Sequence, residues 1–127
     1  MTIDRLTTNP ASGFSDAVTI SGPGRTVHVS GNVGFGDDGT VVSGGMEAEA
    51  RATFANIEKT LHAAGATMAD VIRITAFITD LDAYPAYAKV RSEVFGETLP
   101  ASATVQVTGL LVGAQIEIDA IAFLPGE

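Results

Sequence analysis

Two stretches near the C-terminus hold the side chains whose types suit chemistry: Ser102 and Thr104 in the first, Glu117 in the second. A carboxylate on a half-apolar strand can take a proton from water, which is general-base chemistry. Its plainer reading is a rim carboxylate in solvent. The Ser102 hydroxyl can donate to a neutral ligand or simply fill a small space. Ser30-Gly31 reads first as a strand end with a turn-forming glycine, and Phe14 as core or wall. The chain contains no cysteine, which removes disulfides, thiol nucleophiles and thiolate metal sites together. His28 and His62 lack metal-ligand spacing. Asp37-Asp38 is a turn without the further oxygen ligands of a calcium loop. Neither Gly22-Pro-Gly24 nor Gly34-Phe-Gly36 extends to a dinucleotide or phosphate-loop pattern, and no Gly-x-Ser-x-Gly elbow is present. No metal and no cofactor are expected.

The elements that must position these residues follow from periodicity. Alternation over 16–20 and 26–30 predicts two strands joined by a turn through Ser21-Gly-Pro-Gly24, with an optional strand at 3–7. Gly36-Asp-Asp-Gly39 predicts another tight turn. From about Gly45 the period changes: Ala50, Phe54, Ile57, Leu61 and Ala64 form one helical stripe, which Gly65 suits as a stop. Residues 70–80 are too β-branched for a helix and predict a central strand. Asp80 or Asp82 can cap a second helix, with Pro85 in its first turn and Tyr87, Val90 and Val94 as its buried stripe. That helix should end before Leu99-Pro100, and two strands close the chain. The order β-β-α-β-α-β-β predicts an α+β layer with the helices on one sheet face. Along the last strand Ile116, Ile118, Ala120 and Ala122 point one way and Glu117, Asp119, Ile121 and Phe123 the other. A second face that is half apolar in so short a chain points to an oligomer.

With 127 residues, 46% of them apolar, the chain is sized for one domain spanning 1–127 and one core. Its formal charge of −8, from 15 acidic and 7 basic side chains, works against a nucleic-acid surface. No segment approaches the ~18 apolar residues of a membrane span. The N-terminus, Met1-Thr-Ile-Asp-Arg5, lacks the apolar core of a signal peptide. A cytoplasmic protein is expected.

Several segments, in order and spacing, resemble the RidA family (YjgF/YER057c/UK114). Gly13-Phe-Ser-Asp-Ala-Val18 is similar to its Gly-Pro-Tyr-Ser-Gln-Ala-Val entry, one residue shorter and with Phe14 where tyrosine is usual. Val29-Ser-Gly-Asn32, Asn56-Ile-Glu-Lys-Thr-Leu61, Ala63-Ala-Gly-Ala66 and residues 70–80 resemble its strand end, helix, Ala-Gly turn and central strand. Pro100-Ala101 and Glu117-Ile-Asp-Ala-Ile-Ala122 resemble its last two strands. The resemblance implies a chorismate-mutase-like (YjgF-like) α+β fold: a mixed six-stranded sheet with two helices on one face, assembled as a homotrimer. Ligand clefts would lie between subunits. Deaminase members hydrolyse enamine and imine intermediates, such as 2-aminoacrylate, to the 2-oxo acid and ammonia without metal or cofactor.

Carried over by position, Glu117 matches the family's water-positioning glutamate, and Ser30 and Gly31 match the Ser-Gly that lines the cleft. Thr104 takes the small polar or cysteine position. Phe14 matches a tyrosine without its hydroxyl. Ser102 stands where the deaminase branch reads Pro-Ala-Arg-Ser, its arginine gripping the substrate carboxylate. A serine cannot replace that planar, charged fork. Truncating one partner of a buried charge pair costs about 2–5 kcal/mol, at least one to three orders of magnitude in transition-state stabilisation. Proficient deamination of 2-imino acids is therefore not expected, and the ligand should be neutral or carbonyl-bearing. Arg73 is the arginine that could reach an interface instead; Arg25, Arg51 and Arg91 read as turn or helix-surface charges. The expected function is binding of a small metabolite in inter-subunit clefts. An enamine/imine deaminase or related hydrolase using Glu117 to activate water is the alternative. A ribonuclease ranks below both, because an acidic chain offers RNA little.

Overall fold

A computed structural model of the chain describes residues 3–126; Met1 and Thr2, the start of the N-terminus read above as leaderless, lie outside the described residues. Six strands and two helices alternate as expected: β1 (Ile3–Leu6), β2 (Ala17–Ile20), β3 (Gly24–Asn32), α1 (Gly45–Ala63), β4 (Val71–Ile78), α2 (Tyr84–Phe95), β5 (Ala101–Gln106) and β6 (Ile116–Pro125). Four strands form a mixed sheet in the order β3-β6-β4-β5, with β5 parallel to β4 and the other pairs antiparallel. β1 and β2 make an antiparallel ribbon. A single parallel bridge, Ser15 to Ala101, joins that ribbon to the β5 edge and brings all six strands into one layer.

The last two strands do not pair. β4 lies between them, because β5 returns parallel to β4 through the α2 crossover. Parallel neighbours need such a crossover, whereas antiparallel β6 can enter beside β4 directly.

The helices cover one face. Ala50, Phe54, Ile57 and Leu61 of α1 and Tyr87, Val90 and Phe95 of α2 pack on Ile74, Ala76, Ile78, Ile116, Ile118, Ala120 and Ala122. Residue Ala64 lies just past α1, as its C-cap. Asp80 caps a short 3-10 turn, Leu81–Ala83, that leads into α2, its carboxylate accepting from the Asp82 N–H. The expected turn at 36–39 forms, closed by Gly39 N–H donating to Gly36 O.

One detail of β4 departs from simple alternation. A bulge between Val71 and Arg73 turns Val71 into the core while Arg73 stays exposed. An extra residue in a strand flips the side chains beyond it to the other face.

Candidate functional site

The strand registers decide which candidate residues share a face. Glu117 stands opposite Phe77, and Arg73 opposite Ile121, on the face of the sheet not covered by helices. Ser102 and Thr104 align with Ile74 and Ala76, both fully buried, so they face the helices. Within one chain the candidates therefore divide into two groups on opposite faces. Arg73 lies four residues along the strand from Phe77, roughly 13 Å at strand rise, and carries exposed charge on the Glu117 face.

The first group centres on Glu117. Its carboxylate sits over Gly31: a β-carbon at position 31 would overlap Glu117 Oε2. Only glycine permits that approach. The two residues line a pocket of about 230 Å³ with Asn32, Val33, Phe35, Leu111 and Val112. Ser30 is exposed, and its carbonyl accepts from Asn32 Nδ2 at 2.9 Å. Among the described residues the Glu117 carboxylate has no hydrogen-bond or ion-pair partner. The wall residues Phe35, Leu111 and Val112 are 41%, 79% and 65% exposed. Val112 adopts φ 55, ψ 26 in the turn Leu111–Gly113. A β-branched residue in the left-handed region is strained, and such strain gathers at functional sites.

Helix α1 holds both sides of this pocket. Asn56 Nδ2 donates to Val33 O and Phe35 O at 3.1 Å each. Buried Glu49 accepts from Gln115 N–H at 2.8 Å and from its Nε2 at 2.9 Å, fixing the residue that leads into Ile116 and Glu117. Glu49 was legible only as an acidic residue beside Ala50, inside the apolar stripe.

The second group forms around a residue read above as a surface charge. Arg91 is 2% exposed. Its Cζ lies 5.5 Å from the Phe14 ring, 5.6 Å from Tyr84 and 5.3 Å from Tyr87. The Tyr87 hydroxyl lies beside Arg91, Ser102 and Thr104; burial pushes that phenol above its ordinary pKa, and these neighbours pull partly the other way. Phe14, half-buried, is a wall on the guanidinium. The signal for Arg91 was its spacing, four residues after Tyr87 and three before Val94. From sequence alone, a charge at helical spacing on an apolar stripe reads as solvated.

His28 and His62 are exposed, and His62 reaches only Glu58, at 4.0 Å. Among the described residues no group of three or more potential ligands could hold a metal ion, and no helix is long and apolar enough to cross a membrane. A hollow of about 290 Å³ in the helix layer is lined by Phe54, Met68 and Val94; its rim arginine, Arg51, is engaged by Glu47 and Glu93 at 3.0 Å each.

Over residues 4–124 the chain matches the family model described as endoribonuclease L-PSP. It is 33% identical over 120 residues to a 2-iminobutanoate/2-iminopropanoate deaminase of Dermatophagoides farinae, covering 94% of this chain and 91% of that one. It is also 33% identical over 110 residues to the human protein of the same name, covering 86% and 78%. Among solved structures it is similar to a YjgF/YER057c/UK114 family member from Mycobacterium tuberculosis, with 33% identity, TM-score 0.70 and coverage of 96% and 99%. RidA from an Antarctic Psychrobacter gives 30% identity, TM-score 0.76 and coverage of 98% and 99%. Matched along nearly its whole length by sequence and by fold, the chain belongs to the endoribonuclease L-PSP family, the YjgF/Rid family of these relatives.

Proposed function

We propose that this chain binds a small metabolite at the Glu117–Gly31 pocket, in clefts completed by neighbouring copies in a homotrimer. One observation carries this reading. An unpartnered carboxylate lies over Gly31, in the space a side chain there would take, beside apolar walls that a single chain leaves exposed. Clustered exposed Phe35, Leu111 and Val112 are what a second copy would cover. Phe14, Ser30, Gly31, Ser102 and Thr104 are the ligand contacts in this reading, and a cytoplasmic setting belongs to it. The acidic composition disfavours RNA as the ligand.

A hydrolytic reading is favoured by the freedom of Glu117. A carboxylate not committed to a protein donor can take a proton from water as that water adds to an imine carbon. That proton passes to the imine nitrogen to give a carbinolamine, whose hydroxyl proton then moves to nitrogen as the C–N bond breaks, so ammonia leaves and a carbonyl remains, with water consumed and no redox partner needed. Relatives named 2-iminobutanoate/2-iminopropanoate deaminase support an imine as the substrate in this reading.

The test feeds enzymatically generated 2-iminopropionate to the protein and follows ammonia release beside a buffer control and Glu117→Gln, with solution mass by light scattering. A mass near three chains and release that Glu117→Gln abolishes support the hydrolytic reading. Three chains with saturable binding but no release support binding alone. A single-chain mass with neither overturns both.

A further inference from the structure

The hollow over Gly31 carries charge of one sign. Of the described residues lining it, Glu117 alone is charged, and its carboxylate has no hydrogen-bond or ion-pair partner among the described residues. Asn32, the other polar side chain there, already turns its Nδ2 to Ser30 O at 2.9 Å, which leaves Oδ1 as an acceptor. Val33, Phe35, Leu111 and Val112 are apolar. Side-chain acceptors without a matching side-chain donor call for a ligand that donates. No basic residue of the same chain comes to meet the carboxylate. Arg73, on the same sheet face, lies roughly 13 Å along the strand from the residue opposite Glu117. Arg91 is buried among aromatic rings in the other group. A neighbouring copy brings acid in excess of base, at a net charge of −8.

We propose that the ligand of this pocket is an organic cation: a protonated amine whose ammonium donates to Glu117 and whose apolar body lies against Phe35, Leu111 and Val112. The proposal rests on the binding reading above and names the class of its metabolite. An ammonium brings three donors and a positive charge, and its hydrogen bond to a carboxylate is about twice as strong as a neutral one. The Phe35 ring adds attraction for a cation held over its face. Space sets the size of the body. A cavity of about 150 Å³ takes a benzene ring, so one of about 230 Å³ holds a single ring with a one-carbon ammonium arm. An acid group on that body would set a second negative charge beside Glu117, with no side-chain donor of the lining to receive it. The class is therefore amines that lack a carboxylate.

The experiment titrates the full-length protein with benzylamine, benzyl alcohol and benzoate, which share a ring and differ in the charge of the head group. Calorimetry gives affinity, and NMR contacts from the ring protons to the Val112 methyls locate the ligand. Benzylamine should bind at least about tenfold more tightly than benzyl alcohol, and benzoate should bind most weakly. Glu117→Gln should bring the amine and the alcohol level. Equal affinity for amine and alcohol, a preference for benzoate, or no binding of any probe overturns the proposal. So does an amine preference that survives in Glu117→Gln, or bound amine without contacts to Val112. Should Glu117→Gln not fold, the wild-type order and the Val112 contacts decide. Ammonia release from 2-iminopropionate that Glu117→Gln abolishes, with no preference for the amine, keeps the Glu117 reading and sinks this proposal alone. Glu117-dependent amine binding by a single-chain species supports this proposal and sinks the homotrimer cleft alone.

Discussion

Glu117 and Gly31 occupy one another's space: the carboxylate fills the volume that any side chain at position 31 would take. Two adjacent strands bring them together, since β3 pairs with β6 and its bulge lies between Val29 and Asn32, beside Glu117. Gly31→Ala should therefore push the carboxylate aside without unfolding the sheet. Ligand affinity or turnover should fall at least about tenfold, as misplacing a reacting group by an ångström does. Stability should change by less than about 1 kcal/mol, because the site is exposed. Calorimetric titration and thermal melts on the same sample separate the two effects. A large loss of stability with full binding would contradict this account.

Ser102→Arg brings a second guanidinium toward Arg91 in a space already filled by Tyr87. The single substitution should destabilise by roughly 2–4 kcal/mol through overpacking and like charge. Adding Arg91→Gln should recover about 1 kcal/mol or more, a coupling that urea unfolding of the four variants measures directly. Additive effects would place the two side chains apart.

Residues Tyr84 and Tyr87 are the two tyrosines of the chain, and burial raises the pKa of Tyr87 above the ordinary phenol value. The folded state thus holds the Tyr87 proton at a pH where the unfolded chain releases it. Stability from this group is fully present below about pH 10, the unfolded value, and is lost as pH rises through the higher folded pKa. Ultraviolet titration should show a tyrosine ionising late, with stability declining over the same alkaline range. Tyr87→Phe should remove the late phase.

Glu49→Ala leaves the backbone N–H and side-chain amide of Gln115 without acceptors in a part-buried setting. The cost should be about 2–4 kcal/mol, and Glu49→Gln should cost less because its amide oxygen still accepts one of the two. Because Gln115 leads into Glu117, binding at the pocket should weaken as well. Denaturant midpoints and benzylamine titration report each part.

The fold was open to reading because its signals are local. The α1 stripe from Ala50 to Leu61, the β-branched run of β4 and the glycine turns each state their own geometry. What local pattern cannot state is pairing. β4 stands between the last two strands, and the bulge at Val71 reverses a face. Glu117, Gly31, Ser102 and Phe14 stand out in the sequence only as candidates, and their division between two faces depends on the β4–β5 register. Arg91 was missed for a related reason. A charge at helical spacing was assigned to water, although three aromatic rings make a buried guanidinium tolerable here.

The β1–β2 ribbon is fastened to the rest mainly at Leu99 and Pro100, through Ser15 and the Arg5 guanidinium, which also reaches Ala69 O. Backbone stitched on at so few points can come loose without the core giving way. Its amides would then trade hydrogen for deuterium well ahead of those in β4 and β6. An excursion of that kind would also break the Arg91 Nη2 bond to Ser12 O and lift Gly13 and Phe14 from the guanidinium, so a small two-stranded flap would govern how often the buried charge meets solvent.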